Sequence, residues 1–208
     1  MSNLIAPPAL PQAPREYMPA YQDQFNSVLR LYFNRLSSLI GGLFSSYGGK
    51  DIAFPYGAFS SGVDQTATAN TATLMTLNTT DFSNGVSISS SKITVSYSGI
   101  YNLQFSVQLE NNDNAPQDVY IWLKQNGTDI PGSTGIIGMV ARKGVGDPSH
   151  GIFGWNYFVS MTAGQYIEIY WSTTNAAVTI QYYAASASPT KPATQSVVAT
   201  MTFVSRLI

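Results

Sequence analysis

The sequence contains no cysteine and a single histidine, His150. The missing thiols exclude a disulfide framework, a cysteine nucleophile and a cysteine-rich zinc site, and they leave the redox compartment undetermined. Charge is also scarce: Asp, Glu, Lys and Arg make up 10% of the 208 residues, against about 25% in an average soluble protein. The surface must therefore be Ser, Thr, Asn and Gln, or be covered by something else. Ten basic residues against eleven acidic ones give a formal charge of −1, so no long-range field recruits nucleic acid or anionic lipid, and no nucleic-acid partner is expected. Long apolar runs are missing too. The greasiest tract, 28–44, is broken by Arg30, Asn34, Arg35, Ser37 and Ser38, which excludes membrane insertion of that segment. The opening MSNLIAPPALPQAP has no basic region followed by an apolar stretch and cleavage site, so export through a secretory signal is not expected. A chain of this length hides roughly 70% of its unfolded surface on folding and can build a core without covalent staples.

Three regions follow one another. Residues 1–18, with the boundary proline at Pro19, hold five of the eleven prolines, namely Pro7, Pro8, Pro11, Pro14 and Pro19. Fixed φ angles and missing amide donors make this stretch an extended arm without a core of its own. Such an arm is either a free tail or a preformed peptide lying against a partner. Residues 19–48 then turn helical, with Pro19 in the first turn and Gly41-Gly42 expected to stop the run near Ile40. Phe25, Leu29, Tyr32, Leu36, Leu39 and Leu43 are spaced 4, 3, 4, 3 and 4 apart, an apolar seam of period 3.5. Val28, Phe33 and Ile40 widen that seam beyond what a two-stranded coil covers, which points to a three-helix bundle, a docking surface or packing on the chain's own domain.

From 51 to 206 the composition shifts to Val, Ile, Thr, Tyr, Phe and Trp, punctuated by Asn84-Gly85, Ser98-Gly99, Asn126-Gly127, Pro131-Gly132, Ala163-Gly164 and Ser188-Pro189. Period-two runs occur at Ile93-Val95-Tyr97, Tyr101-Leu103-Phe105-Val107-Leu109, Val119-Ile121-Leu123, Trp155-Tyr157-Val159, Ile167-Ile169-Trp171 and Val178-Ile180-Tyr182. With further strands at 52–59, 72–78, 135–141 and 196–204, the expectation is an all-β, antiparallel double-sheet jelly roll of about ten strands. Several strands carry aromatics on the second face as well: Tyr120 and Trp122, Tyr166 and Tyr170, Phe158, and Tyr183. One face fills a core, so the other needs a cover or a ligand. Tyr101, Tyr120, Trp122, Phe158, Tyr166, Tyr170 and Tyr183 are accordingly the expected contacts between copies of the chain associating about an axis, with a face open to water or a ligand as the alternative.

The segment Gly99-Ile100-Tyr101-Asn102-Leu103-Gln104-Phe105 resembles the G-x-Y-x-F-x-F strand of the trimeric jelly-roll family that includes tumour necrosis factor and the globular heads of the complement subcomponent one-q family. Val119 to Thr128 resembles that family's strand ending in K-x-N-G-T, and Phe158 to Ile167 resembles its L-x-A-G-D-x-I strand entry, with Gln165 in place of the acid. Val198 to Val204 is similar to the closing strand but lacks F-x-G-x-L. The resemblance covers about 51–206 and implies a threefold homotrimer. Ala58-Phe59-Ser60-Ser61, Asn78-Thr79-Thr80-Asp81 and Ser83-Asn84-Gly85-Val86, together with the proline-led helix, also resemble virion proteins of tailed bacteriophages, in which an N-terminal anchor presents a trimeric head.

Candidate chemistry is thin. Asp147, Ser149 and His150 lie close in sequence, in an expected loop over 144–151, yet no strand-to-helix elbow presents the serine. One histidine and no cysteine cannot supply a zinc site. Glu110, Asn111, Asn112, Asp113, Asn114 and Asp118 offer oxygen ligands for a hard cation, but at the spacing of an ordinary polar turn. No phosphate-cradling glycine motif and no paired catalytic carboxylates occur. No cofactor and no enzymatic activity are therefore expected. The resemblance implies instead a virion structural protein, assembled in the host cytoplasm, that binds capsid or tail proteins through residues 1–48 and displays a trimeric head, with a host-surface glycan as a further partner. The alternative is a free-standing carbohydrate- or protein-binding module.

Overall fold

The computed structural model describes residues 8–43 and 54–207. The expectations for residues 1–7, 44–48 and 51–53 lie outside the described residues. The chain divides into two units, residues 1–53 and 54–208. In the first, α1 (Pro19–Leu43) runs 25 residues. It continues through Gly41 and Gly42 instead of stopping near Ile40, because each glycine costs a helix only about 1 kcal/mol, too little to end an established run.

The second unit is an antiparallel β-sandwich. It begins with β1 (Tyr56–Ser61), β2 (Gln65–Thr66), β3 (Thr73–Leu74), β4 (Thr79–Asn84), β5 (Val86–Ser89) and β6 (Lys92–Val95). The long central strands β7 (Gly99–Asn111) and β8 (Gln117–Gln125) follow, then β9 (Thr128–Asp129), β10 (Gly135–Met139), β11 (Ser149–Met161) and β12 (Tyr166–Thr173). Closing the chain are β13 (Val178–Ile180), β14 (Ser186–Ala187), β15 (Thr190–Lys191) and β16 (Val197–Ser205). Ten of these have four residues or more, which is the expected complement.

Sheet one runs β4-β1-β16-β7-β11, with β13 and β2 extending it beside β7; sheet two runs β5-β6-β12-β8-β10, with β3 on β12 and β9 on β8. This arrangement is compatible with a jelly roll. Alternation explains how the sheets close on each other, since successive side chains point to opposite faces. Tyr101, Leu103, Phe105, Val107 and Leu109 of β7 face Val119, Ile121 and Leu123 of β8 and Ile167, Ile169 and Trp171 of β12 in one buried cluster. Hairpin chemistry sets the register: Asn126 and Gly127 both take positive φ, 51° and 80°, as a two-residue turn between β8 and β9 requires. Between the edge strands β10 and β11, Trp155 lies where a side chain on Gly135 would stand, and its ring packs 5.0 Å from Phe105.

Two expectations fail locally. Ser149, His150 and Gly151 belong to β11, pairing with Asn111, Glu110 and Leu109, so His150 lies on a strand and not in a loop. Tyr97 lies beyond β6 and is 61% exposed, because the chain leaves the sheet after Val95 to enter the turn before Gly99.

Candidate functional site

The seven aromatic residues expected at a subunit interface do not converge. Tyr120 and Trp122 on β8 and Tyr166 and Tyr170 on β12 share the outer face of sheet two. Tyr170 pairs directly with Trp122, and their rings lie 5.9 Å apart at 32°. Lysines cap the tyrosines: Lys92 Nζ sits 4.3 Å from the Tyr166 ring and Lys124 Nζ 4.4 Å from that of Tyr170, each an attraction of roughly 0.5–1 kcal/mol at such a site. Asp129 ties the group together, accepting from Trp122 Nε1 at 2.7 Å and pairing with Lys124 at 3.4 Å. The four rings are half-buried by one another and by these cations.

Tyr101 is a correction. It lies on the inward face of β7 with no exposed surface, its ring edge-on to Phe203 at 5.5 Å and its hydroxyl donating to the Tyr97 carbonyl at 2.8 Å. Burial, followed by the neighbouring Tyr97, raises its pKa. The odd-numbered positions of β7 all point inward, so this ring belongs to the core and is not available to another subunit.

Phe158 stands on the outer face of sheet one, which has a different character. Ile152 and Phe158 on β11 are 68% and 57% exposed, with Val198 and Val204 of β16 also exposed. A depression of about 300 Å³ between them is lined by Gln104, Phe105, Ser106, Val198 and Thr200. Asn102 places its Oδ1 in a buried position on this face without a hydrogen-bond partner, although buried polar atoms are normally satisfied. Among the described strands β11 pairs with β7 alone, which leaves a 13-residue edge. The period-two run Trp155-Tyr157-Val159 leaves Ile152 outside the strand; Phe153 extends that run by one step and is the signal that brings Ile152 onto the opposite face.

Tyr183 belongs to a third place, at the end of sheet one. Its hydroxyl donates to Glu110 Oε2 at 2.5 Å and lies 3.0 Å from His150 Nδ1; His150 Nδ1 is itself 3.8 Å from Glu110 Oε2. Asn112 Nδ2 donates to the other carboxylate oxygen. Burial first, then the hydrogen bond and the charge of Glu110, pushes the Tyr183 pKa far above 10, so the phenol is locked in its neutral, donating form. The sequence offers Glu110 only as a cation ligand. Its contact with Tyr183 joins residues 73 apart, and no local pattern encodes such a meeting.

The nucleophilic trio does not assemble. Ser149 is buried and donates to the Val140 carbonyl at 2.7 Å. His150, its neighbour on a strand, points to the opposite face, and Asp147 pairs with Lys143 at 3.8 Å.

The 110–118 oxygens are engaged in building the turn. Asp113 accepts from Gln117 at 2.5 Å, Asn175 at 2.7 Å and the Asn114 amide at 2.7 Å, while Asn111 donates to the carbonyls of Ala115 and Val140. Among the described residues no group of three His, Asp or Glu side chains is placed to hold a metal ion. Asp118 stands apart, on the rim of a cleft. Gln165 takes the role of a turn cap: its Oε1 accepts the Thr162 amide at 2.8 Å, as a carboxylate at that position would.

In the N-terminal unit, Phe25, Leu29, Tyr32 and Leu36 form a half-buried stripe, and Tyr21 stacks on Phe25 while donating to the Pro11 carbonyl at 3.3 Å. The arm thus turns back on the first turns of the helix. Leu39 is exposed together with Leu31, Phe33 and Ile40; Leu43 ends the helix, and its side chain lies outside the described residues. No described helix is long and apolar enough to cross a membrane. Comparison with protein-family models and with curated proteins finds no match to this chain.

Proposed function

We propose that this chain is a nonenzymatic structural protein of a tailed-bacteriophage particle, a homotrimer whose residues 1–48 attach to capsid or tail proteins and whose jelly-roll head, similar to the tumour necrosis factor and complement one-q heads, is displayed outward. The observation that carries this reading is α1. It is a 25-residue helix in a unit of its own, apolar on more than one stripe, with Leu31, Phe33, Leu39 and Ile40 exposed. An apolar arc wider than a two-stranded seam is stable when other helices or a docking surface cover it. The outer face of sheet one supports self-association of the head. Ile152, Phe158, Val198 and Val204 form its exposed apolar set.

Avidity supplies the mechanism. Three heads on one anchor convert weak single contacts into long residence, by factors of about 10²–10⁴ where the geometry allows simultaneous engagement. The aromatic face of sheet two favours adhesion to a host surface. The same face favours the second reading, a free-standing binding module. The test is sedimentation of the full chain at micromolar concentration together with deletion of residues 1–48. The expected result is a trimer, and a truncated head that folds but is lost from assembled particles. A stable monomer removes the trimer, and a truncated chain that still incorporates removes the anchor.

A further inference from the structure

Along the outer face of β8, Asp118, Tyr120, Trp122 and Lys124 follow one another at every second residue. Each has a cross-strand neighbour on the same face: Gly138 opposite Asp118 and Ile136 opposite Tyr120 on β10, Ser172 opposite Tyr120, Tyr170 opposite Trp122 and the buried Glu168 opposite Lys124 on β12. The row opens at its Asp118 end into a cleft of about 540 Å³ lined by Gln117, Asp118, Gly138, Met139, Val140 and Thr174, within the size range of small-ligand sites. Gly138 leaves the floor bare; a side chain there would meet nothing nearer than Asp118 Oδ1 at 3.9 Å.

The polar groups of this surface divide into committed and free. Trp122 Nε1 is bound to Asp129, so the indole offers its face and not its donor. Lys124 and Lys92 are engaged over tyrosine rings and, for Lys124, by Asp129. The hydroxyls of Tyr120 and Tyr170 and the carboxylate of Asp118 have no partner among the described residues. A matching ligand therefore has a flat apolar face to lie on rings, a hydroxylated edge for phenols and carboxylate, and no negative charge to oppose Asp118. A pyranose has a C–H face and an equatorial hydroxyl edge.

We infer that the β8 row and the Asp118–Gly138 cleft form a subsite for a neutral oligosaccharide, one sugar ring stacking on Tyr120 and Trp122 and the next entering the cleft, where Asp118 accepts from its hydroxyls. This deepens the adhesion part of the reading above and rests on it. Arrayed neutral hexose and N-acetylhexosamine oligosaccharides, probed with the full chain, test it using Gly138→Val and Tyr120→Ala. Valine at 138 projects into the cleft from an open position on a strand and so preserves the fold; alanine at 120 removes the platform. The expected result is binding by the native chain and at least a tenfold loss in each variant, with sedimentation unchanged. No binding to any neutral oligosaccharide, full binding in either variant, or loss of self-association on either substitution overturns the assignment, the last by giving the face to another copy. The deletion and incorporation assay is independent of these readouts, so failure of the anchor and failure of the sugar site are told apart.

Discussion

Two glycines on the edge strands of the head should respond to the same substitution with opposite signs. Gly154 on β11 pairs with Ser106 on β7. A methyl group there collides with the Phe105 carbonyl oxygen and lies 3.1 Å from Ser106 Cα and 3.2 Å from the Phe105 carbonyl carbon. All three obstacles are backbone, so no rotamer change relieves the contact. Retreat of β7 is blocked as well, because β16 pairs along its other side. The strands must separate locally. Overpacking costs about 1–3 kcal/mol, and loosening one or two ladder hydrogen bonds adds about 1 kcal/mol each. The reduced entropy of the unfolded chain returns about 0.4–1 kcal/mol. Gly154→Ala is therefore expected to destabilise the head by about 2–3 kcal/mol, roughly 5–10 °C in Tm for a domain of this size. Gly138→Ala meets no such obstacle and should be neutral or slightly stabilising. Urea unfolding followed by tryptophan fluorescence measures both, since Trp122, Trp155 and Trp171 are the only tryptophans and all lie in the head. A Gly154→Ala midpoint equal to or above that of the native chain refutes the reasoning.

Trp171 has no exposed surface, and its Nε1 is buried without a partner. Replacing it by Phe removes an unsatisfied donor along with some volume, so the loss should stay within about 1.5 kcal/mol, against about 3–5 kcal/mol for Trp171→Ala; equal costs for the two variants in the same urea titration contradict this. Tyr183 and Tyr101 both have pKa values raised above 10. The unfolded chain therefore loses these protons first as pH rises, and head stability, complete below pH 10, should fall above it. Tyr183→Phe should flatten that alkaline slope, and an unchanged slope in unfolding titrations from pH 8 to 11 contradicts the assignment.

Alternation made most of the head legible before any coordinates. The odd positions of β7 and β8 are apolar and turn inward, and Asn126-Gly127 and Ala163-Gly164 mark turns because Gly127 and Gly164 adopt positive φ, which glycine tolerates without strain. The helix was legible from its 3.5-residue spacing, though not its run through Gly41-Gly42. The candidate surfaces were only half legible. Two-faced strands announced the aromatics of β8 and β12, but that criterion does not cover Tyr101, whose neighbours Leu103 and Phe105 share its inward parity. His150 escaped the strand because Gly151 and Gly154 interrupt the apolar pattern of β11.

Composition and periodicity by themselves determined that this is an all-β head behind a proline-rich arm and an apolar helix, because both periods are local properties of the backbone. Tertiary structure alone decided that the aromatic row and the exposed Ile152–Phe158 edge belong to different sheets, that Glu110 reaches Tyr183, and that a cleft opens at Gly138. Those relations depend on which strands become neighbours. Strand pairing joins residues tens of positions apart through packing of the whole sandwich, and no segment of the chain encodes its own neighbours.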